Sequence, residues 1–88
     1  MLKVYELHWA EDQEICWIAA ISNIDALQLY CQFNEIDIFD LSNLDYIIET
    51  PKEKLLELIV VNDEESYSMS FEAWLRTHNE SAILKQTL

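Results

Sequence analysis

From Lys3 to Trp9 the chain alternates, with Lys3, Tyr5, Leu7 and Trp9 on one face and Val4, Glu6 and His8 on the other. A period of two with β-branched and aromatic residues predicts a strand. Glu11 to Glu14 is a polar break of hairpin-loop length. Ile15 to Ile21 is apolar at every position, the pattern of a central strand covered on both sides. Together these predict a β-hairpin. Ser22 or Asn23 then caps a helix whose first turn carries Asp25. Ile24, Leu27, Tyr30 and Cys31 repeat at helical spacing, and Asn34 suits a left-handed end.

Residues 34–43 mix Ile36, Ile38 and Leu41 with Glu35, Asp37 and Asp40, and fit either a short edge strand or a helical turn. Leu44 to Glu49 predicts a strand, with Tyr46 and Ile48 facing opposite to Ile47. Thr50, Pro51 and Glu53 match a capping box with proline at the first helical position, opening a short helix to about Glu57. Leu58 to Asn62 reads as a strand, residues 62–66 as a turn, and Tyr67 to Met69 as its return. Ser70 caps a last helix with Phe71, Trp74, Leu75 and His78 on one face, ending near Asn79. Beyond it the tail 79–88 either frays or docks through Ile83 and Leu84. The order β-β-α-(β)-β-α-β-α predicts an α+β fold. Its expected form is two layers, a mostly antiparallel sheet of three to five strands with two to three helices on one face.

Eighty-eight residues, with no linker, repeat or low-complexity stretch, make one domain, 1–88. Hydrophobic residues are 51% of the chain, enough for a core and against disorder. The net charge of −12 is spread along the chain. Eight acids and one lysine give −7 over residues 1–44, and nine acids and four bases give −5 over 45–88. Such a field repels nucleic acid and anionic membranes and attracts basic proteins. Neither direct nucleic-acid binding nor membrane binding is expected.

Glycine is absent, where average usage predicts roughly six. The phosphate loop, the dinucleotide fingerprint and the G-x-S-x-G nucleophile elbow all need glycine, so no nucleotide cofactor is expected. Left-handed backbone positions must fall to Asn or Asp or be avoided. Cys16 and Cys31 lie in apolar stretches without zinc spacing, and read as buried free thiols. The apolar run Ile15–Ile21 is far short of the roughly 20 residues a spanning helix needs. A cytoplasmic location is expected.

The stretch Ile15-Cys16-Trp17-Ile18-Ala19-Ala20 running into Ala26-Leu27-Gln28-Leu29-Tyr30, with Ser70-Phe71-Glu72-Ala73-Trp74-Leu75, resembles small acidic uncharacterised proteins of bacteria and their mobile elements. That resemblance covers about half the chain through core pattern and caps, and implies no activity and no catalytic residues.

Few residues offer chemistry. His8 and His78 are the only histidines and form no pair at the i, i+4 spacing of a helical zinc site. A nucleophilic site drawn from Cys16, His8 and Glu14 would need an electropositive setting for the thiol, and the chain is acidic. Paired carboxylates working as acid and base would need a pocket, for which a domain of this size has little room. Trp17 and Trp74 read as core. Trp9, at a strand end beside an acidic turn, is the expected contact anchor.

Three acidic clusters stand out: Glu11, Asp12 and Glu14; Glu35, Asp37 and Asp40; Asp63, Glu64 and Glu65. The first reading is a non-enzymatic interaction protein that binds a protein partner through an acidic rim around exposed aromatic or edge-strand surface, with Trp9 and the acids Glu11, Asp12, Glu14, Asp63, Glu64 and Glu65 as the contacts. The second is a mimic of a nucleic-acid backbone. A domain ~30 Å across would replace about eighteen phosphate charges at one per ~1.7 Å, so the acids would have to gather on one face. A small enzyme is the third. Homodimerisation is compatible with each.

Overall fold

The first hairpin sets the frame. β1 (Lys3–Trp9) and β2 (Ile15–Ala20) pair antiparallel from Lys3 opposite Ala20 to His8 opposite Ile15. The Trp9 N–H closes the connection on the Glu14 carbonyl at 3.0 Å. The computed structural model describes residues 2–10, 14–37, 39, 41, 44–62 and 67–85. β3 (Leu44–Glu49) pairs antiparallel with β1, and β6 (Ala82–Lys85) with β2, giving the sheet order β3-β1-β2-β6. Residues 82–85 of the tail therefore dock, with Ile83 opposite Ile18, while 86–88 lie outside the described residues. β4 (Ile59–Asn62) and β5 (Tyr67–Ser70) form a separate two-stranded sheet. The class is α+β, with an antiparallel sheet and close to the expected element order.

Alternation in β1 and β2 sends side chains to two cores, and the helices divide between them rather than sharing one face. Tyr5, Leu7, Cys16, Ile18 and Ala20 face helix α1 (Asn23–Asn34) and bury Ala26. Val4, Trp17 and Ala19 face the other way, onto Val60, Phe71 and Trp74. That second side is covered by α2 (Lys52–Glu57), the β4–β5 pair and α3 (Phe71–Thr77). A central strand that is apolar at every position can be satisfied only in this way, since each buried large side chain contributes roughly 1.5–3 kcal/mol.

The caps show how local chemistry sets the helix ends. The Ser22 hydroxyl accepts from the Asp25 N–H at 3.2 Å, and that of Ser70 from the Ala73 N–H at 3.1 Å. At the end of α1 the left-handed residue is Glu35, at φ 55°, and not Asn34. The Ile36 N–H bonds to the Cys31 carbonyl at 2.9 Å and the Glu35 N–H to that of Gln32 at 3.4 Å, a Schellman closure. Asn34 spends its side chain on the Tyr30 carbonyl at 3.0 Å. Among the described residues Glu35 alone has positive φ.

Two further expectations change. Ile24 is exposed, because Ala26 forms the close contact of α1 with the sheet and residues two apart project to opposite sides of a helix. Thr50 makes no capping box. Its N–H bonds to the Val4 carbonyl at 2.7 Å, extending the β1–β3 ladder, and its hydroxyl is buried without a hydrogen-bond partner. Among the described residues no helix is long and apolar enough to cross a membrane.

Candidate functional site

The pleat separates Cys16 from His8. Cys16 lies opposite Leu7 and faces α1, whereas His8 lies opposite Ile15 and faces the other core, so the two share no site with Glu14. Burial, with a smaller push from the Glu14 carboxylate, raises the Cys16 thiol to about 12. Burial and Asp37 likewise raise Cys31. Both thiols are free and buried. Among the described residues no three His, Cys, Asp or Glu side chains are grouped to hold a metal ion.

His8 instead meets Glu6, which sequence reading treated only as a polar position in a strand. Glu6 is 1% exposed, and a carboxylate that deep must be hydrogen-bonded. Its Oε1 lies 2.8 Å from His8 Nε2, and its Oε2 accepts from Trp17 Nε1 at 3.3 Å. Lys54 Nζ of α2 approaches Oε2 at 3.9 Å. The His8 ring stacks on Tyr46 of β3 at 4.3 Å. This line of groups runs from the edge of α2 across the sheet face to the sheet edge. The signal for it was Glu6 two residues from His8 on one strand face, but its Trp17 partner is visible only once the hairpin register is known.

Clefts are open and shallow. One of ≈ 590 Å³ lies between Leu2, Ile21, Leu75 and the end of α3, so a chain of this length does have room for surface cavities. Of its polar side chains, Glu72 pairs with Arg76 at 2.5 Å, and His78 Nδ1 lies 3.0 Å from the Trp74 carbonyl. A second cleft, ≈ 290 Å³, opens at the Trp9 end of the sheet, lined by His8, Trp9, Glu14, Ile15, Asp45 and Tyr46.

This second cleft gathers two of the expected contact residues. Trp9 is half-buried, its ring 4.8 Å from Tyr30, and forms a wall of the cleft. Glu14 is exposed at its rim. Glu11, Asp12, Asp63, Glu64 and Glu65 lie outside the described residues, as does Asp40. The cleft adjoins the edge of the main sheet, the kind of edge-strand surface expected of an interaction protein. β3 pairs with β1 on one side, and no described strand covers its other side. Tyr46 and Ile48 project from it, 47% and 42% exposed. Thr50 N–H bonds to Val4, so alternation turns the backbone groups of Tyr46 and Ile48 inward and those of Ile47 and Glu49 outward. A register shift at His8/Trp9 bends the strand beside Asp45.

No known protein family, curated protein or solved structure matches the chain.

Proposed function

We propose that the chain is a non-enzymatic protein–protein interaction module. The observation that carries this reading is the edge strand β3. Monomeric sheets blunt their edges with lysine, proline or inward charge. Past its register shift, β3 instead presents Tyr46 and Ile48 to solvent beside backbone groups of Ile47 and Glu49 that no described strand pairs. Strand addition to such an edge takes affinity from main-chain hydrogen bonds and specificity from alternate side-chain contacts. The net charge of −12 selects against acidic partners and speeds encounter with basic ones.

The test is affinity capture with the tagged chain and an Ile48→Lys variant, washed at about 100 mM and about 500 mM salt to separate screened from packed contacts. A protein held by the parent chain and lost from the variant supports the reading. Recovery of the chain alone by both proteins contradicts it. A basic nucleic-acid-binding protein held equally by both chains and released at the higher salt would replace it with the mimic.

A further inference from the structure

We infer that the occupant of the β3 edge is an extended basic segment of another protein, which adds as a strand beside Tyr46–Glu49 and seats an arginine in the cleft at its Asp45 end. The inference rests on the interaction reading and deepens it by naming the ligand chemistry. The regular part of the edge offers two outward residues, Ile47 and Glu49, each with one N–H and one carbonyl. An added strand pairs with these and lays alternate apolar side chains against Tyr46 and Ile48, which share one face.

The register shift at His8/Trp9 ends the regular edge, and the ≈ 290 Å³ cleft begins there. Its lining includes the aromatic residues His8, Trp9 and Tyr46 and the acids Glu14 and Asp45. A planar guanidinium stacks on aromatic faces and forks onto carboxylates, and a lysine ammonium does only part of this. Among the described residues neither Glu14 nor Asp45 has an ion-pair partner, whereas Glu49, at the other end of the edge, is paired with Lys3 at 3.4 Å. The uncompensated charge therefore lies at the cleft.

A second copy fits this edge poorly. Overlapping the whole of Asp45–Glu49 about a two-fold through Ile47 sets Asp45 opposite Glu49 twice, and joins two bodies of −12.

The experiment is an NMR titration of the labelled chain with end-blocked peptides carrying Arg-Val-Thr-Val, followed to about 1 mM, where affinities near −4 kcal/mol register. Controls replace the arginine by glutamate or lysine. The arginine peptide should shift the Ile47 and Glu49 amides and the Trp9 indole, and the glutamate peptide should bind at least about fivefold more weakly. The double variant Glu14→Gln with Asp45→Asn changes two exposed side chains. It should bring the arginine and glutamate peptides within about twofold of one another, and Ile48→Lys should abolish both.

Equal binding of the arginine and glutamate peptides by the parent chain would overturn the inference, as would shifts confined to residues away from β3. So would a dimer of the free chain, seen by sedimentation and dissolved by Ile48→Lys, because a second copy would then fill the edge. A captured protein retained by Ile48→Lys through both salt washes defeats this site and leaves the interaction reading standing; capture of no other protein by either chain defeats that reading itself.

Discussion

Replacing Glu6 by alanine probes the buried line of groups from α2 to the sheet edge. Glu6 is 1% exposed and its oxygens serve His8 at 2.8 Å and Trp17 at 3.3 Å. Hydrogen bonds to a charged group contribute roughly 1.5–3 kcal/mol each, and the desolvation cost of the carboxylate offsets part of that sum. Lys54 adds little, being half exposed and 3.9 Å away. Alanine also leaves a cavity beneath α2. The expected loss is about 3 kcal/mol. For a domain this small, with m near ~1 kcal/mol/M, that moves the urea midpoint down by about 3 M.

Glutamine keeps an acceptor for Trp17 and offers an N–H toward His8 Nε2, so Glu6→Gln should cost only about 1 kcal/mol. Lys54→Met should cost less than about 0.5 kcal/mol. Equilibrium urea unfolding followed by tryptophan fluorescence reads all three. An alanine variant within about 1 kcal/mol of the parent, or a glutamine variant as damaged as alanine, would show that Glu6 is not held as described.

Other perturbations follow from the same structure. Cys16 is raised from its ordinary 9.0 to about 12, so its contribution is complete below pH 9 and is lost as pH climbs toward 12. Stability should fall by about 1.4 kcal/mol per pH unit across that window, and urea titrations of Cys16→Ala should lack that part of the slope. Tyr30, raised chiefly by burial, steepens the fall in the same direction. Glu35→Gly should stabilise by about 0.5–1 kcal/mol, relieving the left-handed backbone at 55°, while Asn34→Gly should destabilise by losing the bond to the Tyr30 carbonyl. Thermal unfolding of the two variants shifts in opposite directions if the helix ends as described. Ala26→Leu, at a position with no exposure, should cost about 1–3 kcal/mol by wedging α1 off the sheet, read by the urea midpoint.

Local signals proved readable. The alternation of Lys3–Trp9, the apolar run after Glu14 and the serine caps at Ser22 and Ser70 all lie within a few residues of the structure they specify. Properties set by distant neighbours did not. Glu6 becomes a buried acceptor only because Trp17, eleven residues on, lies opposite it in the register. Thr50 has the sequence of a cap, but its N–H is taken by the ladder to Val4. Pattern alone could not distribute three helices over two faces of one sheet. The same limit applied to the candidate site. Residue type and position single out Trp9 and Glu14, and both line the edge cleft. Tyr46 and Ile48 share a face of β3, but their exposure depends on β3 being the outer strand.

The most direct test of the central claim, that β3 is a free edge built for an incoming strand, is residue-resolved amide exchange of the chain with and without the arginine peptide. Alone, the Tyr46 and Ile48 amides should be protected by β1, and those of Ile47 and Glu49 should exchange quickly. With peptide bound, protection should spread to Ile47 and Glu49. Protection of Ile47 and Glu49 in the free monomer, or none gained on binding, would contradict the account.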